Sequence, residues 1–332
     1  MFNIYEYLDS LPDDVKNINV SHKNLDYLPD LSRFKNLQYL FCHNNNLTSL
    51  PVLPEKLQLL QCQYNNLTSL PVLPENLQIL DCHNNELTSL PVLPEYLKEL
   101  NCSFNKLTSL PILPENLKEL NCCNNKLTSL PVLPENLKEL NCYNNKLTSL
   151  PVLLENLKVL YCSDNNLTSL PVLPEKLEIL YCRKNNLMLL PSLPENLRIL
   201  YCERNKLTSL PVLSNNLIYL FCCHNNLTSF PILPENLKEL SFLNNPIYEI
   251  IYGKYNPLLY INIVGHILFD RNFDTINKNI KIWNNFRHLY YCLKYRKRFW
   301  KMMEPIIKKR YHPSYLDDLK EEDDLDEKLG KW

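Results

Sequence analysis

Apolar residues recur along this chain at two alternating spacings. From residue 37 to residue 250 a twenty-residue unit repeats without slippage, as in 117–136, LKELNCCNNKLTSLPVLPEN. Its skeleton is L-x-x-L-x-C-x-x-N-x-L-x-x-L-P-x-L-P. Leu60-x-Cys62 has the period of a strand with one buried face. After Asn65 the spacing lengthens to Leu67-x-x-Leu70, which a strand cannot satisfy, so the chain turns there. Pro71-Val-Leu-Pro74 lacks two N–H donors, which predicts an extended, unpaired return limb. One such unit cannot bury its own leucines and must stack on copies of itself. The prediction is a coil whose strands form a parallel sheet, ~4.8 Å from strand to strand. A degenerate unit begins earlier, at Val15, and runs two residues longer, which makes twelve units in all.

The asparagine column, Asn45 to Asn245 at steps of twenty, sits where each unit leaves its strand. An inward amide there is expected to satisfy backbone groups of adjacent turns, since a buried amide without partners costs ~1–3 kcal/mol. The adjoining Thr-Ser columns are read as turn residues.

Composition narrows the function classes. The 332 residues carry 36 acidic and 35 basic side chains, a net charge of −1, which argues against a surface built throughout for nucleic acid. Twenty-four prolines, three glycines and no alanine disfavour ordinary helical domains. Neither G-x-G-x-x-G nor the P-loop pattern occurs. Ten of the thirteen cysteines form one column, Cys42 to Cys222 at steps of twenty. Zinc needs converging C-x₂₋₄-C pairs, and there are none. Distance alone does not exclude disulfides between turns, but the side chains point in parallel. The N-terminus MFNIYEYLDSLPDD is acidic and lacks the pattern of a secretory signal. The column is therefore read as buried reduced thiols acting as small hydrophobes in an intracellular protein. Cys123 and Cys223 are expected to face outward. No stretch approaches twenty apolar residues, so no membrane-spanning helix is expected.

The repeat resembles the leucine-rich repeat family, and within it the short twenty-residue class found in bacterial effector proteins. The resemblance covers roughly residues 15–250. Departures are local: Leu154 and Ser214 replace a limb proline, Met188-Leu189 replace Thr-Ser, and Phe230 replaces a leucine. The resemblance implies an α/β-type repeat solenoid with its parallel sheet on the concave face and extended, polyproline-like convex limbs. It also implies that function sits on the sheet side, as non-enzymatic binding of a protein partner. Two outward columns there are not random. The middle turns present Glu99, Glu119 and Glu139 beside Asn101, Asn121 and Asn141. Later turns present Val159, Ile179, Ile199 and Tyr219 beside Tyr161, Tyr181, Tyr201 and Phe221, an apolar strip expected to be exposed and to bind a protein. Stacking between like aromatics on neighbouring strands accounts for the same pattern without a partner. In the third, most variable column, His43 and His83 are read as solvated rather than metal-binding.

The ends differ from the repeats. Residues 1–14 place Phe2, Tyr5 and Leu8 at helical spacing and are read as an N-terminal cap. Residues 251–276 are read as a C-terminal cap. From about 277 to 304 the period becomes 3.6, predicting a C-terminal helical region within a basic aromatic segment, 277–316. Residues 278–312 hold eleven Lys/Arg against one acid, and 313–332 hold eight acids against three Lys, so 317–332 is read as an acidic tail. The basic segment supplies the alternative function, contact with nucleic acid or an anionic membrane. The run 284–316 resembles a C-terminal segment shared by proteins of giant amoeba-infecting DNA viruses, which implies a viral protein working in the host cytoplasm. Enzymatic chemistry lacks parts: neither H-E-x-x-H nor G-x-S-x-G is present. The catalytic C-x-D motif of ubiquitin-ligase domains in related effectors finds only Cys292-Leu293-Lys294 here. No cofactor or metal is expected.

Overall fold

The computed structural model describes residues 2–247. The expected C-terminal cap, basic helical segment and acidic tail lie outside the described residues. A short helix, α1 (Ile4–Asp9), precedes β1 (Asn17–Asn19), β2 (Tyr39–Phe41), β3 (Leu59–Gln61), β4 (Ile79–Asp81), β5 (Glu99–Asn101) and β6 (Glu119–Asn121). The repeat continues through β7 (Glu139–Asn141), β8 (Val159–Tyr161), β9 (Ile179–Tyr181), β10 (Ile199–Tyr201), β11 (Tyr219–Phe221) and β12 (Glu239–Ser241). All twelve strands join one parallel sheet in chain order. Register never slips: Leu60 pairs with Leu80, Leu140 with Leu160, Leu200 with Leu220.

Each strand is only three residues long, so the sheet extends into the following turn. The Cys62 N–H donates to the Asp81 carbonyl (2.8 Å) and the Tyr64 N–H to the His83 carbonyl (3.0 Å). Between them the chain bends inward, which brings the asparagine column to the core. Asn65 shows the pattern. Its Nδ2 donates to the carbonyls of Cys42 and Cys62, both at 3.0 Å, while its Oδ1 accepts from the Leu47 N–H at 3.0 Å. One side chain thus binds its own turn and the turn before it. The bend also requires a left-handed residue just ahead of each asparagine, with φ between 50° and 57° from Asn44 to Asn244. No glycine fills any of these positions. Asn and Asp tolerate the conformation, but Tyr64, Phe104, Lys184 and Arg204 adopt it too, against a steric cost of ~1–2 kcal/mol.

On the return limb the prolines have no N–H to donate, and the Val72 and Leu73 N–H groups have no described backbone partner. The limb ends in a tight turn in which the Leu77 N–H donates to the Pro74 carbonyl (3.0 Å). A second amide row fastens these turns: Asn76 Nδ2 donates to the Glu55 carbonyl (3.0 Å), and Asn136 to that of Glu115 (2.8 Å). The departures from the repeat are absorbed locally. Ser214 replaces proline and uses its hydroxyl to reach the Glu195 carbonyl (2.6 Å). Phe230 packs against Phe242, which stands at a cysteine position, with ring centroids 5.2 Å apart.

Between sheet and limb the core is a stack of identical layers: Leu57, Leu60, Cys62 and Leu67 in one turn are fully buried, as are their equivalents. All described cysteines carry free thiols, and burial pushes those of Cys42, Cys102 and Cys142 up to about 12. At the N-terminal end α1 covers the first layer, but with a different face from the expected one. Ile4 and Leu8 are buried, while Tyr5 points outward and is 55% exposed. Asn3 caps the helix, accepting from the N–H groups of Tyr5 and Glu6. That cap fixes where the helix begins, and so which side of it meets the core.

Two substitutions test this account. Asn145→Ala removes the donor to the Cys122 and Cys142 carbonyls and the acceptor for the Leu127 N–H. It should cost about 3 kcal/mol by urea denaturation, because it leaves several buried groups unpaired. Phe104→Asn places a tolerant residue at φ 51° and should stabilise by about 1 kcal/mol in the same assay.

Candidate functional site

The strand face is positioned entirely by register. Because Tyr161 aligns with Tyr181, Tyr181 with Tyr201 and Tyr201 with Phe221, like side chains are held one above another. The ring centroids are 4.9, 4.3 and 4.4 Å apart in that order, and Tyr181 and Tyr201 lie parallel within 3°. Beside them Val159, Ile179, Ile199 and Tyr219 form the second column. The structure therefore brings all eight expected residues together on four adjacent strands.

Their exposure differs from expectation. All eight are half-buried, because each ring covers the flank of its neighbour and leaves one side to solvent. Burial raises the Tyr161 hydroxyl, with help from the Glu139 charge, and pushes Tyr201 up to about 12, with help from Tyr181. The site is a surface of rings already in mutual contact, edge-on at Tyr161–Tyr181, stacked at Tyr181–Tyr201 and tilted at Tyr201–Phe221, not a row of free side chains.

Toward the N-terminus the same columns turn polar. Glu139 aligns with Val159 and Asn141 with Tyr161, and the Glu and Asn rows continue through β6 and β5. Burial and the charge of Glu119 hold the Glu139 carboxyl above its usual range. The basic residues next in sequence engage their own column. Lys98 Nζ donates to Gln78 (2.8 Å), and Lys158 lies 3.7 Å from Glu178. With Lys176, Arg198, Lys238, Asn196 and Asn216, among others, Lys158 and Glu178 line an open cleft of about 630 Å³.

The third column departs from the sequence reading. Cys123 is buried rather than outward-facing, with Asn124 Nδ2 donating to its Sγ (3.3 Å). Cys223 is half-buried, with its Sγ 2.8 Å from Ser241 Oγ. Both lie just past the strand, where the bend rotates the side chain toward the neighbouring turn. Burial raises both thiols. His83 is not freely solvated: its Nδ1 lies 2.6 Å from Asp81 Oδ1, and the Tyr64 ring meets it edge-on at 4.9 Å. His43 is half-buried against His22, and desolvation lowers its basicity. Among the described residues no three His, Cys, Asp or Glu side chains are grouped to hold a metal.

One feature escaped the sequence reading altogether. The residue after the first limb proline is Val or Ile in nine of the ten units from Val52 to Ile232, Ser192 being the exception, and those nine are 73–88% exposed. Alternation along an extended limb gives the signal, since Leu73 points inward and Val72 must point out. β-Branched residues suit that backbone whether or not anything covers them.

A family model described as Leucine Rich repeats (2 copies) matches residues 135–175. Among solved structures, YopM from Yersinia enterocolitica WA-314 is similar, with a TM-score of 0.63 and 36% identity over 72% of this chain and 57% of that one. The present chain therefore spans a little over half of that protein's length. A Yersinia pestis structure described as YopM, a leucine-rich effector protein, matches at 31% identity and a TM-score of 0.54, over 70% of this chain and 79% of that one. The functional domain of InlJ from Listeria monocytogenes, described as including a cysteine ladder, matches at 31% identity and a TM-score of 0.59, over 70% and 58%. No curated protein matches the chain.

The like charges on the strand face make a test. The raised Glu139 carboxyl means that ionisation there opposes folding. Glu139→Gln should therefore be more stable than wild type at neutral pH. As pH falls through the folded carboxyl's titration, wild type takes up the proton and the difference should close, which thermal melting at neutral pH and near pH 4 would show.

Proposed function

The chain belongs to the leucine-rich repeat family, and from that premise we propose that it is a non-enzymatic scaffold that holds a protein partner on its strand face. Val159, Tyr161, Ile179, Tyr181, Ile199, Tyr201, Tyr219 and Phe221 make the contact. The fold commonly mediates protein–protein interaction. The observation that carries the reading is the run of four aromatic rings in unbroken register on β8 to β11. Aromatic side chains supply large contact area with few rotatable bonds. Here contact between neighbouring rings already restrains them, so a partner meets a preorganised surface and less ordering entropy is lost on binding.

A scaffold rather than an enzyme agrees with the chemistry of the described residues. The column thiols are sealed, and burial holds them protonated. A row of free thiols suits a reducing compartment, which supports an intracellular setting. Likeness of the C-terminal run to giant-virus proteins makes that setting a host cytoplasm. Among the described residues no helix is long and apolar enough to cross a membrane.

The test is a double substitution, Tyr181→Ala with Tyr201→Ala. Loss of the parallel stack should lower stability by about 1–2 kcal/mol while circular dichroism still reports a folded solenoid. Affinity capture from a cell lysate should lose its partner with this variant. It should keep the same partner with Val72→Ser and Val172→Ser together, which alters only the return limb. Undiminished capture by the folded tyrosine variant refutes the reading.

A further inference from the structure

The two halves of the strand face adjoin without a gap. Glu99, Glu119 and Glu139 occupy consecutive strands, and their column passes directly into Val159, while the Asn101–Asn121–Asn141 column passes into Tyr161. Nearness is also electrostatic, since the Glu139 charge is felt at the Tyr161 hydroxyl. At ~4.8 Å per strand the carboxylates extend over about 10 Å and the rings over about 14 Å. Some acids elsewhere in the repeat are neutralised across turns, as Lys184 does for Asp164 and Lys158 for Glu178. Among the described residues no cation stands within ion-pair distance of the three glutamates. Three like charges in a row, each a strand apart, oppose the fold that carries them. A cationic partner would relieve that repulsion.

Resting on the strand-face reading above, we propose that the occupant is an extended segment of a protein in which a cluster of Lys or Arg adjoins a cluster of aromatic or aliphatic residues. The segment crosses the strands, with its cations over Glu99, Glu119 and Glu139 and its apolar side chains over Tyr161 to Phe221. An extended chain advances about 3.3 Å per residue and turns every second side chain to one face, so about three residues span the carboxylates and about four span the rings, with alternate side chains meeting the sheet. A cation at the junction also meets the Tyr161 ring, which favours positive charge. The same carboxylates repel phosphate, so nucleic acid and anionic lipid are unsuited to this face. Charge supplies the direction of docking and the rings supply the contact area.

Two fluorescein-labelled peptides serve as probes: one joins three lysines to four alternating phenylalanines and leucines, and the other carries glutamates in place of the lysines. Fluorescence anisotropy with the full chain should show the lysine peptide binding roughly tenfold or more tightly than the glutamate peptide at low salt, with the gap narrowing as salt rises. Glu99→Gln, Glu119→Gln and Glu139→Gln together should bring the two peptides to near-equal affinity without lowering the melting temperature, and Glu119→Gln alone should narrow the gap in part. Tyr181→Ala with Tyr201→Ala should weaken the lysine peptide while leaving its salt dependence in place. Equal binding of both peptides by wild type, binding of neither, or an unchanged preference in the triple glutamine variant overturns the inference. Each of those results leaves the aromatic strip to be judged by the capture experiment. Unweakened binding of the lysine peptide by the folded tyrosine variant instead counts against the strip itself.

Discussion

The carboxamide of one asparagine per turn is the constraint on which the rest of the solenoid depends. It faces three carbonyls and one N–H drawn from two successive turns, as Asn65 does with Cys42, Cys62, Gln63 and Leu47. Only a side chain with a donor and an acceptor on one short stem fits this arrangement. Aspartate lacks the donor, and glutamine adds a methylene where neighbouring atoms are already packed. Once the amide is seated, the residue before it must adopt positive φ and the leucine after it is drawn inward. The tilt of each turn, the height of each strand and the vertical alignment of side chains follow. A face of stacked aromatics exists because this alignment does not drift over twelve strands.

Much of this was legible in the residues, for a physical reason. Twenty-residue identity forces identical turns, so reading one unit reads all of them, and the burial of Leu60, Cys62 and Leu67 follows from alternation and turn placement alone. What eluded sequence reasoning depends on three-dimensional detail within the bend. Cys123 lies one position past the strand, where alternation no longer governs direction, and it turns into the structure. Half-burial of Tyr181 is a property of its neighbours in space, which supply the covering atoms. At the N-terminus the helical spacing of Phe2, Tyr5 and Leu8 competed with Ile4 and Leu8, and the Asn3 cap decided between them. The outward valines of the limb were visible as a column, yet the eye is drawn to the leucines beside them.

The strand face joins structural and functional demands on the same atoms. Stacking of Tyr181 on Tyr201 stabilises the sheet and also fixes the rings that the proposed partner would meet. The glutamate row works the other way, since like carboxylates align on neighbouring strands and the Glu139 charge opposes the fold. One sheet therefore presents a stabilised apolar block beside a frustrated acidic block, and their common border at Glu139 and Tyr161 gives the surface a polarity along the stack. The limb offers no such contrast, with its outward column Val or Ile from end to end apart from Ser192.

The strict period of twenty has an evolutionary corollary. Near-identical repeats in a gene invite unequal recombination, which adds or deletes whole coils. A change of one full coil leaves every amide, thiol and leucine facing the partner it requires, whereas a change of one residue would misplace them all. The molecule is thus free to vary in length in fixed increments while its cross-section stays constant. Copying a coil from the acidic or the aromatic stretch would enlarge that block, changing the strand face without inventing a new fold.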